Sequence, residues 1–414
     1  MSDLPVSPLA PAQFPHMLPV PGVEMGAAAS GQKYKGRPDL LLVAFQKGTV
    51  AAGVFTQSKM PAAPVDWSKK ALAKTEGSVR ALVVNAGNAN AFTGEKGERT
   101  ATRMAGAAAS ALNCEAEQVL LASTGVIGEP LDAAVFVKYL PRIAEGLSSD
   151  LWREAARAIT TTDTFLKGSS RITEIDGSQI AITGIAKGSG MIAPDMATML
   201  GFIFTNAPVT ANCLQQILRA ANKKSFSCVT VDGDTSTNDT LYAFATGGAF
   251  TRDLIDDPSD QRLNEFKAAV EAVALDLAQQ LVRDGEGASK FISMTVEGAA
   301  DDQAARAIAL TVANSPLVKT AIAGEDPNWG RLVMAVGRSG ELASRDKMVI
   351  WIGGQLVAVN GQVSKKYNES VAADHMKKAE IDIRMDVGIG DGRATVWTCD
   401  LTHGYISINA DYRS

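Results

Sequence analysis

The run KGSGMIAPDMATMLGFIFT, residues 187–205, is the most unusual stretch of this chain, and both its architecture and its chemistry turn on how that run is read. Gly188 and Gly190 permit unusual backbone angles and Pro194 fixes φ, while LGFIFT is a short apolar run of strand character. Between the two lies the peptide bond joining Ala197 to Thr198. Ala197 offers little bulk around its carbonyl, and a strained peptide at that point is open to an N-to-O acyl shift onto the Thr198 hydroxyl. Cleavage would give Thr198 a free α-amine that titrates near neutral pH beside its own hydroxyl, which is a nucleophile carrying its own base. The same residues also fit an ordinary Gly/Pro turn before a buried strand, and composition alone leaves both readings open.

Working outward, the chain has three histidines, His16, His375 and His403, and none stands in a Ser/His/Asp or HExxH setting. A base other than histidine is therefore needed. Short β-rich runs at Leu40 to Phe45, Thr49 to Phe55 and Val79 to Val84 precede a helical stretch from about Glu95 to Leu112. Helices follow near Leu131 to Gly146 and Asp150 to Ile159, then a strand near Ile180 to Ile185. The clearest helix spans about Asp260 to Arg283, where Leu263, Phe266, Val270, Val273, Leu277 and Leu281 recur at spacings of three and four. KMVIWIGGQLVAVNGQ reads as paired strands with a turn at Asn360-Gly361, and RATVWTCDL as a further strand. The fold class is α/β or α+β in both halves.

The 414 residues, 46% of them hydrophobic, suffice for two domains or one large one. A formal net charge of -5 without a dense basic stretch gives nucleic acid little to bind. No run approaches the roughly 20 apolar residues that cross a bilayer. The Pro-rich start, with Pro5, Pro8, Pro11, Pro15, Pro19 and Pro21, reads as an extended arm rather than a signal peptide. Cys114, Cys213, Cys228 and Cys399 are widely spaced and suggest neither a disulfide framework nor a metal site. A soluble, cytoplasmic enzyme with buried reduced thiols and no metal is expected.

KGSGMIAPDMATML resembles the signature of the ornithine acetyltransferase family, also called the bifunctional arginine biosynthesis proteins or glutamate N-acetyltransferases. The resemblance continues through GVFTQSKMPAAPV, VVNAGNANAFTG, ASTGVIG, TTDT, CVTVDGDTSTND, DGEGASKF, GEDPNWGR and WTCDLTHGYISINADYRS, and so spans nearly the whole chain. It implies the self-cleaving Thr-nucleophile sandwich fold of that family. Residues 1–197 would form an α chain and residues 198–414 a β chain beginning with the nucleophile Thr198, paired into an α2β2 assembly. The implied reaction is ping-pong: Thr198 takes acetyl from N-acetylornithine and gives it to glutamate, without a cofactor. Acetyl-CoA stays open as a further acetyl donor.

By the same resemblance Thr124 and Gly125 correspond to the oxyanion-hole pair, and Glu286 to a catalytic carboxylate that also meets substrate. Thr161, Lys187, Thr198, Glu286, Asn409 and Ser414 correspond to substrate-binding positions. The family more often ends in Thr, so Ser414 keeps the hydroxyl but loses a methyl. Read from their own residues, Ser123-Thr124-Gly125 is a polar turn, Lys187 a surface charge and DGEG a helix-end turn. GIGDGR, residues 388–393, has strand-like residues after it and reads as a turn rather than a nucleotide loop. The nearest rival is a self-processing N-terminal-nucleophile aminopeptidase or amidase, with water as acceptor. A silent amino-acid-binding protein would instead leave the chain uncut.

Overall fold

A computed structural model describes residues 4–193, 199–247 and 254–410. In chain order its elements are β1 (Val23–Ala28), β2 (Leu40–Phe45), β3 (Val50–Phe55), α1 (Ala63–Lys74), β4 (Ala81–Asn88), α2 (Gly94–Leu112), β5 (Val119–Val126), α3 (Ala134–Ala144), α4 (Trp152–Ala158), β6 (Lys167–Ile175) and β7 (Ser178–Lys187). After the junction come β8 (Leu200–Thr205), α5 (Ala211–Lys224), β9 (Thr240–Ala245), α6 (Asn264–Arg283), β10 (Phe291–Ala299), α7 (Asp302–Ala313), α8 (Pro316–Ala323), α9 (Trp329–Gly337), β11 (Val349–Ile352), β12 (Gln355–Val359), β13 (Gln362–Val363), α10 (Glu369–Met376), β14 (Glu380–Asp386), β15 (Gly392–Cys399) and α11 (His403–Ala410).

The continuous apolar runs LLLVAF, ALVV and VLLA are strands buried on both faces, and that is why they do not alternate with polar residues. Their odd and even side chains enter different cores. Leu41, Val43, Leu82, Val84, Leu120 and Ala122 face Phe202, Phe204, Tyr242 and Phe244 across an inter-sheet core. Phe45 stacks on Phe244 with ring centroids 4.5 Å apart, and Trp152 of α4 meets Phe204 edge-on. Leu40, Leu42, Ala81, Val83, Val119 and Leu121 point the other way, onto α2 and α3. On the far side Ile203, Leu241 and Ala243 pack on α5 and α6. The result is a helix–sheet–sheet–helix sandwich built from a sheet of order β1-β2-β4-β5 and one of order β3-β9-β8-β7-β6.

A third sheet, β13-β12-β11-β14-β10-β15, covers α7, α9 and α10 with one face. Here the alternation is visible: EIDIRMD buries Ile381, Ile383 and Met385 only. Gly353-Gly354 joins β11 to β12, and Asn360-Gly361, both at positive φ, turns β12 into β13.

The junction is not a linker between sheets. β7 pairs antiparallel with β8, Lys187 opposite Leu200, and β8 pairs parallel with β9, which pairs with β3. The pair β9-β8, from after residues 197 and 198, is thus inserted between β3 and the pair β7-β6 from before them.

Candidate active site

The site is assembled at the ends of three strands. β5 carries Ser123, Thr124 and Gly125 as strand residues, correcting their reading as a turn: the strand runs on to Val126 beside β4, whose register breaks at Gly87 and Asn88. Asn238 Nδ2 donates to the carbonyls of Ser123 (2.8 Å) and Ala89 (2.7 Å), fixing this end. Gly125 has φ +131°, and a Cβ there would lie 2.2 Å from the backbone carbon of Gly87. No other residue fits.

Lys187 ends β7, and it is buried rather than a surface charge, with 3% of its surface exposed. Its ammonium donates to Thr124 Oγ1 at 3.1 Å. Burial pulls its pKa below the ordinary lysine value, Asp163 opposes that shift and Lys167 adds to it. The hydroxyl that accepts from this ammonium keeps its own proton for another acceptor.

Beneath lies a buried ionic cluster. Lys167 donates to Asp163 Oδ1 (2.7 Å) and to Asp284 Oδ2 (2.5 Å), and the side chains of all three are fully buried or nearly so. Asp163 also accepts the N–H groups of Thr161 (2.9 Å) and Gly188 (2.7 Å). Burial works to raise the Asp163 pKa, but Lys167, Lys187 and these hydrogen bonds outweigh it and hold the carboxyl well below the usual range. Asp163 therefore sets the backbone on which Thr161 and the glycine turn after Lys187 sit.

Glu286 follows the C-terminus of α6, where a helix-end turn was read. Its N–H donates to the Ser189 carbonyl at 2.9 Å, and its carboxylate accepts from Asn409 Nδ2 of α11 at 2.8 Å. A Cβ on Gly190 would fall 2.3 Å from Glu286 Oε2, so the glycine makes room for the carboxylate. Burial raises the Glu286 pKa above its ordinary value, against the hydrogen bonds from Asn409 and Thr162.

Thr124, Gly125, Thr161, Lys187, Glu286 and Asn409 line one cavity of about 220 Å³, roomy enough for a small amino-acid derivative. A second cavity, about 380 Å³, shares Thr162 and Glu286 with it and is roofed by residues 4–8 of the N-terminal arm. Ala197, Thr198 and Ser414 lie outside the described residues. The described flanks of the junction are buried: Ala193 and Ile192 on one side, Met199 on the other. Asp232 accepts the N–H groups of Met191 and Ile192 and the Tyr405 hydroxyl, and Met199 N–H donates to Asp239 Oδ1 at 3.2 Å.

Reading the sequence missed Lys167, Asp284, Asp239 and Asn238 as parts of this site. All except Lys167 stand in motifs quoted above, but nothing local marks their partners, which are up to 149 residues away. The cysteines are free, Cys114 half-buried rather than buried. Among the described residues no cluster of His, Cys, Asp or Glu is arranged to hold a metal, and no helix is long and apolar enough to cross a membrane.

A family model, the ArgJ family, matches residues 24–414. The arginine biosynthesis bifunctional protein ArgJ of Rhizobium meliloti is 55% identical over 412 residues, covering 99% of both chains. That of Agrobacterium fabrum is 53% identical over 411 residues, again covering 99% of each. Among solved structures, an arginine biosynthesis bifunctional protein from Bacillus halodurans matches with TM-score 0.48 and 39% identity over 50% of this chain and 97% of that one. Ornithine acetyltransferase of Mycobacterium tuberculosis, complexed with ornithine, matches with TM-score 0.38 and 31% identity over 47% and 96%.

Proposed function

The chain belongs to the ArgJ family, and from that premise we propose that it is a glutamate N-acetyltransferase of arginine biosynthesis that cuts itself between Ala197 and Thr198. The observation that carries this reading is the convergence of Thr124, Gly125, Thr161, Lys187, Glu286 and Asn409 on one cavity, at the strand ends that bracket the junction.

In the first half-reaction the Thr198 hydroxyl oxygen bonds to the acetyl carbon of N-acetylornithine while its proton passes to the Thr198 α-amine. The carbon–nitrogen bond then breaks, and the departing ornithine nitrogen takes that proton. In the second half-reaction the glutamate amine bonds to the acetyl carbon, the ester carbon–oxygen bond breaks, and a proton of that amine passes through the Thr198 α-amine to the Thr198 oxygen, restoring its hydroxyl. Each half passes through a tetrahedral oxyanion, and Thr124 Oγ–H with the Gly125 N–H is the donor pair for it. Lys187, polarising Thr124 with one N–H, has two left for a substrate carboxylate. Glu286, held by Asn409, faces the substrate amine, with Thr161 and Ser414 completing the pocket.

One amide is exchanged for another, so no cofactor is required. We propose acetyl-CoA as a second donor to the same Thr198, in keeping with relatives that are named bifunctional. The two chains, residues 1–197 and 198–414, remain together and pair as α2β2 in the cytoplasm.

Intact mass and N-terminal sequencing of the purified protein test the cut: two chains, one starting at Thr198, are expected, and a single chain of 43.4 kDa refutes it. In Thr198→Ala, cleavage and acetyl transfer should disappear together. Net hydrolysis of N-acetylornithine without transfer to glutamate would favour the amidase reading.

A further inference from the structure

Most buried carboxylates around the site are fully used. Both oxygens of buried Asp163, Asp284 and Asp400, and of half-buried Asp232, accept hydrogen bonds. Asp239, immediately before β9, differs. It has no exposed surface, its Oδ1 accepts the Met199 N–H, and its Oδ2 has no hydrogen-bond partner among the described residues. A buried carboxylate oxygen left so is costly, which favours the neutral acid. Burial indeed raises the Asp239 pKa well above the carboxylate range, against the Met199 N–H, the nearby charge of Lys187, and the hydroxyl and N–H of Ser236. With Oδ1 accepting, the acid proton belongs on Oδ2.

The position is fixed. Asn238 is tied to β5 through Ser123 and to Ala89, the Thr56 hydroxyl holds the Ser236 carbonyl, and Thr240 N–H donates to the Met199 carbonyl. Three covalent bonds separate the Met199 nitrogen from the nitrogen of the residue before it, so the two stay within roughly 3.7 Å in any conformation. Asp239 is thus hydrogen-bonded to the main chain at the next peptide after the proposed cut.

We propose that Asp239 is the acid–base group of self-cleavage, its Oδ2 handling the protons exchanged at the Ala197–Thr198 peptide. This rests on the reading of Thr198 as nucleophile. The Thr198 hydroxyl oxygen bonds to the Ala197 carbonyl carbon, and the bond from that carbon to the Thr198 nitrogen breaks. The nitrogen takes the proton of Oδ2, and the carboxylate so formed takes the proton released by the hydroxyl, which regenerates the acid. Water then hydrolyses the ester, leaving an Ala197 carboxylate and a Thr198 hydroxyl with a free amine.

The test follows cleavage of freshly synthesised full-length chain by intact mass across a range of pH. Asp239→Asn keeps an acceptor for Met199 N–H and the side-chain shape but removes the exchangeable acid. It should cleave at least ~100-fold more slowly, the lower end of general acid–base effects, with the same thermal melt as Thr198→Ala. Asp239→Ala should be equally slow and should recover cleavage on addition of formate or acetate, a response that a packing defect does not give. If Asp239→Asn fails to fold, that rescue decides. Wild-type cleavage with Asp239→Asn within about threefold of it, or no rescue of Asp239→Ala, overturns the assignment and leaves Thr198 standing. An uncut wild-type chain overturns both.

Discussion

Thr124→Val replaces one γ oxygen by a methyl of similar size at a position with 3% of its surface exposed, so packing on β5 should barely change. Chemically two things happen. In the proposed mechanism the oxyanion loses a donor, and one lost donor in such a site costs about 3 kcal/mol, or roughly 150-fold in kcat at 1.36 kcal/mol per decade. Lys187 Nζ also loses the acceptor 3.1 Å away. A buried ammonium with one hydrogen bond fewer is destabilised further, so its already lowered pKa should fall again and the alkaline limb of the pH–rate profile should move to lower pH. Steady-state transfer of acetyl from N-acetylornithine to glutamate, measured in protein already cut, separates these effects. The expected outcome is a fall in kcat of two to three decades with KM altered severalfold at most. An unchanged kcat with a greatly raised KM would mean that Thr124 binds ground-state substrate, and the oxyanion assignment would fail.

Three further perturbations follow from the same geometry. Gly125→Ala places a methyl 2.2 Å from the Gly87 backbone at φ +131°, so soluble yield and thermal stability should drop sharply; a variant melting like wild type refutes the close approach. Asp163→Asn, made in the uncut Thr198→Ala chain so that unfolding is reversible, leaves Lys167 with Asp284 as its one carboxylate partner and should cost about 3–5 kcal/mol in urea unfolding. Because the folded Asp163 pKa lies below its unfolded value, its contribution is present above the unfolded pKa and lost as pH falls, so the Thr198→Ala chain should lose more stability on acidification than the double variant. Asn409→Ala removes a hydrogen bond that favours ionised Glu286, so the acidic limb of the pH–rate profile should move to higher pH; an unmoved limb would show that Glu286 does not control it.

The sequence reading found what is periodic or local. The three-and-four spacing of Phe266, Val270, Val273, Leu277 and Leu281 foretold α6, and the start expected near Asp260 proved to be a separate 3-10 segment, Gln261–Leu263, capped by Asp260. LLLVAF read as a strand, but its burial on both faces came only with the second sheet, since a run without alternation does not say what covers it. The resemblance named Lys187 and Glu286, whereas their own residues suggested surface charge and turn. Burial of a lysine depends on an acceptor such as Thr124, 63 residues away, and no local pattern records it. Nothing local marks Asp163 as the centre of an ionic cluster, because Asp284 joins it and Lys167 only after β6 is laid against α6.

The insertion of β9 and β8 between β3 and β7 in one sheet gives the proposed cut a direction in time. Residues 1–197 alone would hold β3, β6 and β7 without the strands between them, and residues 198–414 would hold β8 and β9 with bare flanks. Such open edges invite aggregation. The chain must therefore finish folding while it is one molecule, and the cut, once made, erases the route back. A cleaved enzyme that unfolds has to find its other half by diffusion, whereas uncut Thr198→Ala needs only itself. The working life of each molecule is then governed by how slowly it first comes apart, and the uncut variant should be the one that recovers after denaturation.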